Sequence, residues 1–458
     1  MDLAGEKSRR VIKFKRSKLL SATTYLMALL AATLFLFIGI SCSKDNTPVP
    51  EPDSILVPIL SGISPESGPK NTVVTIFGNH FGTDASEVQV FFNDTEVEVQ
   101  TVSETQIKTV VPVGTTTGLI KLNVKGIAIT GPEFTYILSL QVSTLAGSTQ
   151  DFADGNGASA KFSLPAGAGM DMEGNLYVAD FDNHKIRKIT SAGDVSTLAG
   201  STQGFADGTG PSAQFSFPYG VAVDASGNVY VADAGNHKIR KITPVGEVGT
   251  LAGSTQGFSD GMGMSAQFNG PFGLAVDPEG VLYVADFQNH KIRKITPEGM
   301  VYTLAGGTQG YADGLGMSAQ FAGPSAIVVD DDDGNVYVAD TANHKIRKIT
   351  ANGMVSTLAG SIQGFEDGEG IAARFDLPAG LARDASGNIY VADSQNHKLR
   401  KISPDGVVST LAGSTQGFSD GIAQTAQFNF PFGVGVDDQG ILYVADNGNH
   451  RIRKIVLE

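Results

Sequence analysis

The chain has 458 residues, of which 41% are hydrophobic, and this length is sufficient for two or three folding units. Its formal net charge is −14; beyond residue 42 it carries 26 basic and 45 acidic side chains, a net charge of −19. A body this acidic repels phosphate backbones and anionic lipid headgroups, so we expect no nucleic-acid partner.

The first 42 residues have the order of a secretion signal. Seven Lys or Arg side chains precede an apolar run from Leu19 to Ile40, and Cys42, the only cysteine, follows directly after small residues. The segment GISC resembles the lipobox of bacterial lipoproteins. This resemblance implies a signal peptide over 1–42, lipid attachment at Cys42 and a surface-exposed place on the cell outer membrane. An uncleaved membrane-spanning anchor is the alternative, because about 20 apolar residues can cross a bilayer.

Residues 43–54 (SKDNTPVPEPDS) are polar and rich in proline, which predicts an extended, flexible tether. Its opening SKD is similar to the export tags of surface lipoproteins of the Bacteroidota. Such a tether would hold the folded part of the chain away from the membrane.

Residues 55–137 contain short β-branched runs separated by Gly, Pro, Asn and Asp, the pattern of an antiparallel sandwich. From Ile120 to Val124 apolar and polar residues alternate, which predicts one buried face. The segments ISPESGP from Ile63 and VTIFGNHFG from Val74 resemble the IPT/TIG immunoglobulin-like family. This resemblance implies a spacer or binding module. His80 has no metal-ligand partner nearby in sequence, so we expect a loop residue.

A block of 13 residues, YVADAGNHKIRKI in its second copy, recurs six times over residues 138–458. The spacing of 53 or 54 residues fits a four-stranded propeller blade with one long connection. From Val229 to Ala232 both faces of the strand are apolar, as expected of a blade covered on both sides.

The number of strands predicts how the ring closes. The first outer strand, Val142 to Gly147, precedes the first blade, and the last blade ends at Glu458 without one. We therefore expect the early strand to complete the last blade and to leave no unpaired edge. The predicted fold is all-β, an immunoglobulin-like sandwich followed by a six-bladed β-propeller closed by its N-terminal strand.

The recurring Asp-x-x-Asn-His-x-Ile-Arg resembles the NHL repeat family in all six units. The resemblance implies a propeller but no single activity, since such propellers include protein-binding, RNA-binding and lyase members. Sixfold identity of the histidines favours a structural bond at the turn between the second and third strands, with the Arg stem lying against the blade. These histidines are His184, His237, His290, His344, His397 and His450.

Zinc-dependent lyases on NHL propellers and calcium-dependent lactonases on a related fold resemble this chain in architecture only. They need unlike His, Glu, Asn or Asp side chains that converge on the central channel. His80 is the only histidine outside the repeat position, and no inner strand carries an odd carboxylate. We therefore expect no catalytic residue, no metal and no cofactor.

Each connection between blades contains an Asp-Gly pair with Phe or Tyr two residues before it. We expect the aromatic ring to plug the space between blades and the glycine to turn the chain. The inserted run from Asp330 to Asp333 lacks the alternating spacing and the distal Glu of a calcium loop, which predicts a solvated turn.

Two places depart from the repeat: the residue after the invariant Pro of each inner strand and the pair after Val-Ala-Asp. We expect both to open on one face of the disc, where aromatic rings beside amides suit sugar rings or protein loops. A simple cap over the channel is the alternative. Arg383 replaces an aliphatic residue in an inner strand, and we expect it in the channel. The candidate ligand-binding residues are Tyr219, Phe272, Phe432, Phe181, Phe287, Gln288, Gln395 and Arg383.

The sequence thus predicts a non-catalytic surface lipoprotein, anchored in the membrane by lipid, that binds an extracellular glycan or protein. One alternative is a metal-dependent lyase or lactonase that uses the propeller channel. The other is a protein-binding adhesin or structural scaffold.

Overall fold

The computed structural model describes residues 56–458, and residues 57–458 form one compact unit. This part of the chain consists of β-strands and short 3-10 turns without an α-helix, which confirms the all-β prediction. Within it, no helix has the length and apolar character to cross a membrane. The predicted signal peptide, Cys42 and the tether lie outside the described residues.

Two sheets form the first domain around a core that includes Val74, Phe92 and Phe134. The predicted alternation is confirmed, since Ile120 and its alternate neighbours are buried while the residues between them are partly exposed. In spatial order, one sheet contains Ile59–Ser64, Val73–Asn79, Gln106–Val110 and Val99–Ser103. The other contains Ser67–Gly68, Ile127–Tyr136, Gly118–Val124, Val88–Phe92 and Thr95–Val97.

The repeats form six five-stranded sheets, which fit a β-propeller and are numbered here 1 to 6 in the chain order of their repeats. The inner strands are Pro165–Met170, Pro218–Val223, Pro271–Val276, Pro324–Val329, Pro378–Arg383 and Pro431–Val436. The second strands are Leu176–Asp180, Val229–Asp233, Leu282–Asp286, Val336–Asp340, Ile389–Asp393 and Leu442–Asp446. The third strands are Lys185–Ile189, Lys238–Ile242, Lys291–Ile295, Lys345–Ile349, Lys398–Ile402 and Arg451–Leu457. The outer strands of sheets 1 to 5 are Asp194–Ala199, Glu247–Ala252, Met300–Ala305, Met354–Ala359 and Val407–Ala412.

Each sheet has five strands, whereas the repeat length predicted four. The fifth is two residues long, lies in the connection and pairs antiparallel with the outer strand, as Gly208–Thr209 does with Glu247–Ala252. A two-residue strand has no periodicity that a sequence could reveal. The others are Gly155–Asn156, Gly261–Met262, Gly314–Leu315, Gly368–Glu369 and Gly421–Ile422.

The outer strand of sheet 6 comes from the beginning of the repeat region. Leu140–Gly147 pairs antiparallel with Arg451–Leu457 and buries Val142 and Ala146. Each inner strand contacts the next one, and the inner strand of sheet 6 contacts that of sheet 1. Apolar side chains of neighbouring sheets meet in separate cores, because the second strands are apolar on both faces.

The strands run between two opposite faces of the ring. The turn face carries the inner-strand prolines and the 3-10 turns before each repeat histidine, such as Ala234–Asn236. The aspartate face carries the residue after each inner strand, such as Asp224. Because Leu140–Gly147 starts at the aspartate face, the first domain joins the ring on that side, where Lys70 also pairs with Glu458.

Candidate functional site

In every repeat a buried arginine pairs with aspartates and holds the connection against the sheet. In sheet 3 the Arg293 side chain is fully buried; its Nη1 donates to Asp286 at 2.7 Å and its Nη2 to Asp260 at 2.6 Å. Both nitrogens also donate to backbone carbonyls of the connection. The prediction that the arginine stem merely lies against the blade was therefore wrong, because the guanidinium itself fastens the connection to the sheet.

The aromatic residue of each connection covers this ion pair instead of filling the space between sheets. The Arg293 guanidinium carbon lies 4.9 Å from the ring centre of Phe258 and 5.0 Å from that of Phe268. Phe258 is 45% exposed, whereas Phe268 is fully buried. The ring that is buried is therefore Phe268, and Phe258, the residue predicted to fill the space between blades, instead covers the Arg293 guanidinium from the solvent side.

Each repeat histidine links one sheet to the next. The Nδ1 atom of His237 accepts the backbone N–H of Gly270 at 3.0 Å, and His450 accepts that of Leu164 across the seam at 3.2 Å. All six histidines adopt left-handed backbone conformations, with φ between 55° and 57°. The histidines are therefore spread around the ring and do not converge on one point.

The stability contributed by this bond should depend on pH. Burial lowers the pKa of His237 below its usual 6.5, so the unfolded chain takes up the proton first as the pH falls. The free energy of unfolding of the wild type should exceed that of His237→Asn at pH 7.5, and this difference should shrink as the pH falls to 5.5. Asparagine is a suitable replacement because it tolerates the left-handed backbone and does not titrate. Urea unfolding of both proteins at several pH values measures this difference; a constant difference would contradict the assignment.

The predicted aromatic residues come together on the turn face. Tyr219 and Phe272 are stacked with ring centres 4.0 Å apart, and Phe272 and Phe287 are stacked at 4.2 Å. The ring centres of Phe181 and Phe432 lie 6.2 and 6.0 Å from that of Tyr219, in edge-on arrangements. All five rings are partly buried. They form a continuous group, called here the aromatic cluster.

Stacking within the cluster limits which rings are free. Both faces of Phe272 are covered by its two neighbours, and Phe287 packs closely against the backbone of Gly323. Among the described residues, Phe432 meets the cluster only edge-on, at Tyr219, and no aromatic ring stacks on its face. Phe432 is partly exposed, which makes it the candidate ring for contact with a ligand.

At the turn position that Phe181 and Phe287 occupy, sheets 4 to 6 carry polar residues that bond to the next sheet. Side chains of Thr341, Ser394 and Asn447 donate to the carbonyl oxygens of the inner-strand prolines Pro378, Pro431 and Pro165, respectively. In sheets 4 to 6 the variation of this turn residue thus serves contacts between sheets, and in sheets 1 and 3 it supplies rings of the aromatic cluster. Gln288 and Gln395 are exposed on the same face.

The channel below the cluster is narrow. Its cavity, lined by Tyr219, Ser325, Ala379 and Phe432, measures about 50 Å³, which is room for a few water molecules. Glycines allow the inner strands to lie this close together, because a Cβ on Gly220 would lie only 2.1 Å from the carbonyl oxygen of Phe272. A sugar or a peptide can therefore contact the cluster from outside, but it cannot enter the channel at this end.

The residue before the inner-strand proline also contributes to this face, which sequence reasoning missed. Phe217 lies 5.1 Å from Phe181 and 4.8 Å from His184, measured between ring centres. Its φ is 48°, a conformation that costs a bulky residue roughly 1–2 kcal/mol. Gly270 and Gly323 occupy the same position in other sheets, so the change from glycine to phenylalanine was the available signal.

Arg383 lies at the opposite face, away from the aromatic cluster. Its Nη2 pairs with Asp330 at 2.6 Å, and Asp330 is 5% exposed. In other repeats this aspartate binds its own turn, as Asp224 does with Asn228. The inserted residue lets Asp333 bind Asn335 instead, so the prediction of a solvated turn is wrong for Asp330. The insertion and Arg383 are one structural feature, and Arg383 does not join the predicted ligand site.

The aspartate face also holds a wider cavity of about 510 Å³, lined by inner-strand ends and by carboxylates that include Asp277, Asp331 and Asp438. No group of three or more His, Cys, Asp or Glu side chains in residues 56–458 has the geometry to hold a metal ion. His80 is a loop residue with φ of 65°, as expected.

Comparison with protein families matches residues 58–136 to the IPT/TIG domain and five segments to the NHL repeat. The NHL segments are 215–242, 268–295, 321–349, 375–402 and 428–455. The chain thus contains an IPT/TIG domain followed by NHL repeats, and the first of the six repeats is not among the matched segments.

Two curated proteins illustrate the likeness of the repeats. The chain is 35% identical over 56% of its length to Protein SUPPRESSOR OF QUENCHING 1, chloroplastic, of Arabidopsis thaliana, and the match covers 26% of that protein. It is 28% identical over 62% of its length to NHL repeat-containing protein 2 of Homo sapiens, with 45% of that protein covered. The chain therefore spans less than half of the length of these relatives.

Solved structures share the architecture over most of the chain. An auxiliary nutrient binding protein from Bacteroides thetaiotaomicron VPI-5482 covers 88% of this chain with 20% identity and a TM-score of 0.66, and 98% of that structure is covered. One from Bacteroides ovatus ATCC 8483 has 21% identity, the same coverages and a TM-score of 0.62. At this level of identity the likeness is evidence of fold alone.

Proposed function

We propose that this protein is a non-catalytic lipoprotein of the cell surface whose propeller binds an extracellular glycan on its turn face. In this proposal Cys42 carries the lipid, residues 43–54 are the tether and the IPT/TIG domain is a stalk. The six sheets are the blades of a ring that Leu140–Gly147 closes. The single observation that carries the proposal is the aromatic cluster, which breaks the sixfold symmetry on one face.

The direction of the strands supports this assignment of the face. The IPT/TIG domain joins the ring at the aspartate face, so the turn face points away from this junction. A membrane anchor at Cys42 would leave this face accessible to large ligands in the medium. The acidic body keeps the propeller from adhering to anionic lipid.

The chemistry of the cluster supports a glycan. Phe432 offers a partly buried ring without a stacked partner, and sugars pack their apolar faces on such rings. Tyr219 supplies a hydroxyl for which burial alone raises the pKa, with no hydrogen bond to another described residue. Gln288 provides an exposed amide nearby. Two auxiliary nutrient binding proteins of Bacteroides share this fold, which agrees with a binding role.

Binding of the soluble fragment 57–458 to a polysaccharide array tests the proposal. Phe432→Ala should weaken the binding at least tenfold, about 1.4 kcal/mol, because the free ring is lost. Ala166 and Ala379 occupy the same position in sheets 1 and 5, so the fold accommodates this change. Tyr219→Phe should weaken binding less, by the loss of one hydrogen bond.

Gln288→Ala should weaken the binding by the loss of its amide contact. Gln439→Ala is its matched control and should leave the binding unchanged, because Gln439 is an exposed glutamine on the opposite face. Binding that survives Phe432→Ala but is lost with Gln439→Ala would move the site to the aspartate face. Absence of any glycan ligand would contradict the glycan proposal and favour a protein ligand. Stoichiometric zinc or calcium in the purified protein would favour the lyase or lactonase alternative.

A further inference from the structure

The rim of the ring is most apolar at sheets 3 and 4. The two-residue strand and the start of the outer strand pair side by side, as Met262 with Met300 and Leu315 with Met354. The same positions in sheets 1 and 2 are polar, with Asn156 beside Asp194 and Thr209 beside Glu247. The difference between the sheets is therefore in surface chemistry, and the backbone pairing is unchanged.

The apolar residues are continuous around the rim. The turn Gly316–Ser318 bonds to the end of the outer strand of sheet 3 at Gly306 and to the start of that of sheet 4 at Gly353. Met317, in that turn, therefore lies between the end of the outer strand of sheet 3, which carries Met300 and Tyr302, and Met354 at the start of the outer strand of sheet 4. The rim patch, as this surface is called below, consists of Met262, Met264, Met300, Tyr302, Leu315, Met317, Met354 and Ile371.

The rim patch is large for a monomer. All of its residues except Met300 are between 44% and 70% exposed. With about 200 Å² for a large side chain, the exposed apolar area is on the order of 750 Å². Monomeric proteins rarely expose contiguous patches beyond a few hundred Å², and a stable interface buries about 800 Å² on each partner. The patch alone is thus close to one half of a standard interface.

We propose that the rim patch is a homodimer interface, in which two copies of this chain meet about a twofold axis through sheets 3 and 4. A twofold axis places the same patch on itself, so apolar surface covers apolar surface. The side chains of the rim patch are uncharged in a strongly acidic chain, so this part of the rim repels a second copy less than the acidic rim of sheets 1 and 2 does. Sheet 3 lies across the ring from sheet 6, where the IPT/TIG domain joins, so the stalk does not obstruct the contact.

Sedimentation equilibrium of the fragment 57–458, which forms one compact unit with its own cores, tests the proposal at concentrations from about 1 to 100 µM. The wild type should sediment as a dimer at the upper end. A variant in which four rim residues take the identities found in sheets 1 and 2 should dimerise at least about 100-fold more weakly. The substitutions are Met262→Asn, Met300→Asp, Leu315→Thr and Met354→Glu.

A second variant, Met264→Ala with Met317→Ala, changes only exposed turn residues and should weaken the dimer about tenfold while the melting temperature stays the same. The matched control is Ile362→Thr, which removes an exposed apolar side chain outside the patch and restores the residue of the other five repeats. The control should remain a dimer. A wild type that is monomeric at every concentration, or a dimer that both patch variants leave intact, would overturn the proposal.

Discussion

Replacing Arg293 with methionine is expected to destabilise the folded state by about 3–5 kcal/mol. The guanidinium is fully buried and neutralises Asp286, whose side chain is also fully buried. Without the arginine this carboxylate stays in the core with hydrogen bonds but no counter-charge, and the connection loses two carbonyl contacts. Urea unfolding of the fragment 57–458 measures the loss.

Lys294→Met is the matched control, because Lys294 is the next residue of the same strand and its side chain is partly exposed. It should change the free energy of unfolding by less than about 1 kcal/mol. Adding Asp286→Asn to Arg293→Met removes the unpaired charge and should recover part of the loss. A loss below about 1 kcal/mol for Arg293→Met would mean that the buried pair is not what fastens the repeat.

Removing the strand Leu140–Gly147 is expected to lower the melting temperature by more than about 10 °C. The deletion uncovers the edge of Arg451–Leu457 and takes the buried side chains of Val142 and Ala146 out of two cores. An exposed strand edge also promotes aggregation. Thermal unfolding with light scattering measures both effects on residues 148–458.

A synthetic peptide with the sequence of residues 138–148 should restore the melting temperature, since an added strand can pair with the open edge. The control is the fragment 138–458, which lacks the IPT/TIG domain but keeps the strand. It should melt close to the intact protein. A fragment 148–458 that melts like the fragment 138–458 would contradict the role of this strand in holding the ring together.

The sequence was informative wherever a feature is repeated. Six copies of one block located the second and third strands, and the position of Val142 relative to them identified the strand that joins the last sheet. The identity of all repeat histidines indicated a structural bond within the turn between the second and third strands; the bond is structural, but His237 makes it to a backbone N–H of the next sheet. Periodicity cannot give the partner of a side chain, so the burial of Arg293 and its pairing with Asp260 were missed.

The sequence indicated which residues form the aromatic cluster and that they share one face of the ring, but not how their rings pack. The departures from the repeat indicated Tyr219, Phe272 and Phe432, and the structure places them together. Which ring faces are free depends on packing between residues 50 or more positions apart, and no local pattern encodes that. Arg383 was grouped with the ligand-binding candidates because its partner, Asp330, lies in another repeat and no local pattern indicates that pairing.

The central claim is that residues shared by all repeats build the ring, while ligands bind where the symmetry is broken. Measuring melting temperature and glycan affinity of His237→Asn and Phe432→Ala together tests it most directly. His237→Asn should lower the melting temperature and leave the affinity unchanged, whereas Phe432→Ala should weaken the affinity at least about tenfold and leave the melting temperature unchanged. Loss of affinity in His237→Asn with full binding by Phe432→Ala would contradict it.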